Sequence, residues 1–145
     1  MTGRLVGSAA LLVAFVACRL GSELFVDATV PRQAFRNLAV VPASGSMFDH
    51  RIAARVWSNL RTAGVSVVDP ASLTPVRELN TAAVCRQAAA VDYQAVVLVD
   101  WNELTLVDCA TQLTAFRVAG SDMNAPGVDR LTQALVRYLR GESLR

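Results

Sequence analysis

Residues 37 to 64 read NLAVVPASGSMFDHRIAARVWSNLRTAG, and within them one periodicity gives way to another. Asn37 to Pro42 is a short, nearly continuous apolar run that stops at a proline. That is the pattern of a strand buried on both faces, ended where the backbone loses a donor. Ala43 to Phe48 follows as a loop, with Ser44-Gly45-Ser46 as its turn chemistry. Asp49 is the expected N-cap of a helix running to Ala63. Ile52, Ala53, Val56, Leu60 and Ala63 fall on one helical face, and Arg51, Arg55, Ser58 and Thr62 on the other. Gly64 is placed to end the helix as its C′ residue. Strand, loop and amphipathic helix in this order form the first half of a β-α-β unit.

The pattern repeats downstream. Val65 to Asp69 reads as a second strand closed by Pro70, and Asn80 as the cap of a helix from Thr81 to Val91. A third strand is centred on Ala95-Val-Val-Leu-Val99. Strands alternating with helices imply right-handed crossovers and a parallel core. The period then shortens. Leu104 to Asp108, a turn at Cys109 to Gln112, and Leu113 to Ala119 predict an antiparallel hairpin. Asn102-Glu103 fits either a tight turn or a bulge in one long strand. Pro126 opens a last helix to about Arg140, with Val128, Leu131, Leu135, Tyr138 and Leu139 on its apolar face, and Gly141 stops it. The fold class expected is α/β: a mixed sheet, β-α-β-α-β followed by an antiparallel hairpin and a C-terminal helix.

Outward from this domain (residues 37–141, with 142–145 as a tail) the N-terminus has a different character. Met1 to Arg4 carries one positive charge, and Leu5 to Ala17 carries none. These are the n-region and h-region of an export signal, too short for a hydrocarbon core of about 30 Å. Phe15-Val16-Ala17-Cys18 resembles the lipobox of bacterial lipoproteins. The resemblance implies cleavage before Cys18, acylation of that cysteine, and a tether over residues 18–36. A plain secretory signal and an uncleaved anchor are the alternatives. Arg19 after the cysteine, rather than Asp, implies delivery to the periplasmic side of the outer membrane, with inner-membrane anchoring or secretion as alternatives. Of three cysteines, lipidation of Cys18 leaves Cys85 and Cys109. Both a disulfide and two small buried thiols fit that pair.

Composition narrows the function. A net charge of +2 on 145 residues argues against nucleic acid as the main partner. Every basic residue is Arg, which fits the codon bias of a GC-rich genome. His50 is the one histidine and no CxxC spacing exists, so no metal site is expected. Ser44, Ser46, Asp49 and His50 cluster after the first strand, where α/β proteins bind ligands, but the GxSxG frame is absent. Their expected role is turn and cap. Asp100, Glu103 and Asp108 read as edge or solvent-facing charges rather than an acid–base pair. Arg130, Arg137 and Arg140 read as a solvated face late in a helix. Trp57, Trp101, Arg51 and Arg55 form the candidate partner surface, with packing as the competing role for the tryptophans.

Three stretches resemble the small periplasmic domain shared by the LpoB and CsgG lipoproteins and the TolB amino-terminal domain. They are Leu38 to Pro42, Leu60 to Asp69, and Ala88 to Val99; Leu106-Val-Asp108 with Thr111 is a weaker fourth. Gln112 stands where that family's hairpin has glycine, and there is no room for the long hairpins of a secretion channel. The resemblance implies a lipid-anchored envelope protein, without catalytic residues or cofactor, that contacts an envelope protein partner. An auxiliary lipoprotein subunit of a transport or secretion system is the alternative, and a small secreted hydrolase the remote one.

Overall fold

A computed structural model of the chain describes residues 23–32, 35–74, 81–120 and 124–144. The leader, Cys18, Pro75 and the Asn80 cap lie outside the described residues. Among the described residues five strands form one sheet: β1 (Glu23–Val26), β2 (Leu38–Pro42), β3 (Ala95–Val99), β4 (Glu103–Asp108) and β5 (Thr114–Ala119). The helices are α1 (Met47–Thr62), α2 (Thr81–Cys85), α3 (Ala88–Val91) and α4 (Ala125–Leu139). The order across the sheet is β1-β5-β4-β3-β2. β2 and β3 run parallel, with Leu38 opposite Ala95 and Pro42 opposite Val99, and every other pair is antiparallel. The α/β class, the mixed sheet, the hairpin and the C-terminal helix are all present.

Alternation along the strands sorts the core onto two faces. Leu38, Val40, Val97, Val99, Leu104, Leu106 and Phe116 face α1 and α4, which contribute Val56, Leu60, Leu131 and Leu135. Ala39 and Val96 face the other way, under Val68, Val84 and Tyr93, with Leu73, Ala88 and Val91 alongside. The β2–β3 pair is thus covered twice, as parallel strands require.

Several local expectations change. Glu23 to Val26 reads as tether in the sequence, yet β1 pairs with β5 from Glu23 opposite Ala119 to Val26 opposite Phe116. Its partner lies far away in the chain, so nothing local announces the pairing. Beyond it Val30 is buried, and the Arg32 guanidinium stacks over the Tyr138 ring at 4.5 Å. Val65 to Asp69 lies beside β2 but keeps only the Leu38–Val67 bridge, with Leu38 N–H donating to Ser66 and Val68 N–H to Leu38. Trp57 Nε1–H donates to the Val68 carbonyl at 3.0 Å, and the Asp69 carbonyl accepts Ser72 N–H at 2.9 Å, so both carbonyls bond outside the ladder.

The expected helix from Thr81 to Val91 is broken at Arg86-Gln87. There the Tyr93 hydroxyl donates to the Val84 carbonyl at 2.5 Å, and Gln87 makes two 2.8 Å bonds to the Thr74 backbone. These bonds occupy groups at the break. Ser46, not Asp49, caps α1, accepting from Asp49 N–H at 3.1 Å. Asn102-Glu103 belongs to a tight turn, since Asp100 N–H donates to the Glu103 carbonyl and β3 folds back on β4. Gly64 does hold the left-handed φ of +81° its place past α1 demands. Gln112 takes a φ of +59°, the conformation glycine would adopt without strain.

Two contacts fix α1 against α4 and the core beneath. Arg55 grips Asp129 with two 2.8 Å bonds, and Asn59 adds a third at 2.7 Å. The Arg55 bond holds the Asp129 pKa below its ordinary value; partial burial opposes it and the Asn59 bond adds to it. Tyr138 is fully buried beside Phe116, ring centroids 4.9 Å apart, and its hydroxyl has no partner among the described residues. Burial raises the Tyr138 pKa, with the Arg32 charge acting in the opposite direction.

A buried hydroxyl without a partner costs stability, while a same-shaped apolar ring does not. Tyr138→Phe is therefore expected to stabilise the domain by about 1 kcal/mol in urea unfolding. A loss would mean that the hydroxyl has a partner. A carboxylate whose folded pKa is depressed adds stability above its unfolded pKa, lost as pH falls through the folded one. The stability difference between wild type and Asp129→Asn is expected to be full above about pH 5 and to shrink below about pH 4, read from thermal midpoints across that range. Asp27, held low by Thr29, titrates in the same acid window and remains in the variant.

Candidate interaction surface

The strand directions give the sheet two unlike ends. β2, β3 and β5 finish at the end where β1 and β4 begin, because Pro42 opposes Val99, Val99 opposes Leu104, and both Glu103 and Glu23 oppose Ala119. α1 and α4 also start there, directly after β2 and β5. Backbone bonds tie the loops of this end together: Ala43 N–H to Val99 at 2.7 Å and Gly120 N–H to Asn102 at 2.9 Å. This is the strand C-terminal end where open α/β sheets hold ligands.

The serines at this end are structural. Ser44 Oγ donates to Asp49 Oδ2 at 2.5 Å, Ser46 Oγ accepts the Asp49 N–H, and Ser46 N–H donates to Ser44 Oγ at 3.2 Å. Asp49 is buried in this knot at the positive end of α1, where a carboxylate is favoured. His50 is exposed, and no hydrogen bond among the described residues joins its ring to either serine. The turn lies where the sequence places it, and the cap is Ser46 rather than Asp49.

The three carboxylates are also occupied, each separately. Asp100 accepts Trp101 N–H at 2.7 Å, and Glu103 accepts the Thr105 hydroxyl at 2.9 Å. Asp108 is buried at the far end of β4, accepting from Ala110 N–H and the Thr111 hydroxyl. No group of three or more metal-binding side chains occurs among the described residues.

The candidate partner residues separate. Trp57 is half-buried, bonded to Val68, with Arg61 over its ring at 5.2 Å, so it packs the Val65 to Asp69 segment onto α1. Arg55 spends its guanidinium on Asp129. Arg51 is exposed on α1. Trp101 stands free at the tip of the β3–β4 turn, 58% exposed. Met47 and Phe48, at the start of α1, are 73% and 52% exposed at the same end. Sequence reasoning places those two in a loop and gives them no role. Their signal is two large apolar residues off the helix stripe, immediately before charged ones.

At the opposite end, Cys85 and Cys109 form a disulfide, Cα atoms 5.2 Å apart, joining α2 to the residue after β4. The half-buried bond fastens the α2–α3 cover over β3. An open groove of about 550 Å³ runs between α1 and α4 towards this end, lined by Asn59, Asp129, Gln133, Arg137 and Arg140 among others. Its polar groups largely satisfy one another: Asn59 with Asp129, and Arg140 with the Ala63 carbonyl and Glu142.

No family model and no curated protein matches this chain. Among solved structures, a point variant of the PelC dodecamer from Paraburkholderia phytofirmans is 12% identical over 81% of this chain and 96% of its own, with a TM-score of 0.50. The PelC dodecamer of the same organism in another crystal form is 10% identical over 81% and 95%, at 0.48. A prolyl-tRNA synthetase from Cryptosporidium parvum is 12% identical over 74% of this chain and 22% of its own, at 0.40. At such identities the likeness to PelC is one of fold alone.

The disulfide closes a 24-residue separation that contains α3, β3 and β4. Replacing both cysteines by alanine is expected to cost about 2–4 kcal/mol in urea unfolding. An unchanged midpoint, or equal gel mobility with and without reductant after thiol blocking, would show the pair to be unbonded.

Proposed function

We propose that the protein is a lipid-anchored accessory protein of the bacterial cell envelope, held on the periplasmic side of the outer membrane and acting through protein–protein contacts. The observation that carries this reading is the Cys85–Cys109 disulfide, because such bonds persist in oxidising compartments and are rare in the cytosol. It agrees with the leader Met1 to Ala17 and with Cys18 as the acylated residue. The likeness of Leu38 to Pro42, Leu60 to Asp69 and Ala88 to Val99 to the LpoB, CsgG and TolB domains supports the same compartment. A binding role rather than catalysis is supported by the engagement of Ser44, Ser46, Asp100, Glu103 and Asp108 in local hydrogen bonds of turns, a cap and a strand.

The contacts in this reading include copies of the chain itself. PelC, of the same fold, is a dodecamer. β1 is a short edge strand with Leu24 and Phe25 exposed, and the other edge, beside β2, carries only the Val67 bridge. Unlike edges suit a head-to-tail contact, which closes into a ring when the rotation between copies allows. The envelope partner is then met by the assembly rather than by one subunit.

The anchor is tested directly by growing a Gram-negative host that expresses the full chain with a palmitate analogue. Wild type is expected to take up label and to fractionate with membranes, and Cys18→Ser to lose both. Label that persists in Cys18→Ser sinks the reading.

A further inference from the structure

The chain enters the fold at the same end of the sheet that carries Met47, Phe48 and Trp101. Glu23, the first described residue, opposes Ala119, which opposes Glu103, the residue after the Trp101-Asn102 turn. Cys18 lies five residues before Glu23, so even a fully extended chain sets them no more than about 18 Å apart. A lipid on Cys18 therefore keeps this end within reach of the bilayer surface, while the disulfide and the Arg137 and Arg140 side chains lie at the opposite end of the sheet.

We propose that Met47, Phe48 and Trp101 form a bilayer-contact tip that inserts into the headgroup region and sets the orientation of the domain. This deepens the lipid-anchor reading and rests on it. All three side chains are more than half exposed. They belong to two segments joined by the Ala43–Val99 bond, so they stand at one end of the sheet. Tryptophan prefers the membrane–water interface, where its ring is apolar and its N–H stays wet. Phe and Met add apolar area to the same contact.

The charged groups of this end leave the tip open. Asp49 is buried against Ser44, Asp100 turns back onto Trp101 N–H, and Glu103 turns onto Thr105. Glu23, His50 and Arg51 are exposed around the tip. Acyl chains alone leave a domain free to tumble about its tether. An apolar tip beside the tether converts that freedom into one preferred pose, and so presents the sheet edges and the disulfide end in a fixed direction.

The two tryptophans make the test. Trp57 lies half-buried further along α1, about 15 Å of helix from Met47, and serves as the reference fluorophore. The acylated full chain is reconstituted into phosphatidylethanolamine–phosphatidylglycerol vesicles, with and without brominated phospholipid. Bromine is expected to quench roughly half the wild-type emission, because one of two tryptophans touches lipid. The quenching should vanish in Trp101→Phe and fall in the Met47→Ser/Phe48→Ser double variant, with both variants still floating with vesicles. All three positions are exposed, and far-UV circular dichroism checks that the variants remain folded. Vesicle-bound wild type with unquenched emission overturns the tip and leaves the anchor standing, with Trp101 then free for a protein. Failure to float overturns the anchor and the tip together.

Discussion

The fold rests on the burial of β3 on both faces. Ala95, Val97 and Val99 point to α1 and α4, while Val96 points to the smaller layer of Val68, Val84 and Tyr93. Two apolar faces need two covers, and each cover makes its own demand. On one side a single long amphipathic helix after β2 meets a second after β5, locked by Arg55 and Asp129. On the other side the cover is short, two helices of five and four residues, which alone are far below the length at which helices hold in water. Tyr93, Gln87 and the disulfide hold that cover down. The bonds are concentrated where the helices are weakest.

Parallel and antiparallel pairing together then divide the molecule into two ends with different chemistry. Where β2, β3 and β5 finish, turns are knotted by serine and carboxylate side chains, and Met47, Phe48 and Trp101 stand exposed among polar neighbours. Where they begin lie the disulfide, the Asp108 turn with its left-handed Gln112, and the C-terminal arginines of α4. Tethered by its N-terminus at the first of these ends, as proposed, the domain has a built-in direction.

Much of this is legible in the chain because it is local. The strand at Leu38 to Pro42, the stripe on α1, and the stop at Gly64 follow from periodicity and backbone preference within one turn or one strand. The hairpin from Leu104 to Ala119 follows for the same reason. The departures are non-local. Glu23 to Val26 lies in a stretch of mixed charged and apolar residues that reads as tether, and it becomes a strand where β5 offers a free edge. Val65 to Asp69 has the composition of a strand and loses its ladder because Trp57 takes the Val68 carbonyl. Trp57 and Trp101 are indistinguishable as letters; one bonds to the neighbouring segment and the other stands in solvent.

By itself the sequence determined the α/β class, the position of both long helices, and an uncharged apolar run that stops at Cys18, since each depends on residues a few positions apart. The tertiary structure decided which cysteines meet, which arginine is spent, and which exposed residues share an end with the entering chain. Those facts depend on strand direction and register, and register is set by burying both faces of β3 at once. No window of sequence contains that constraint.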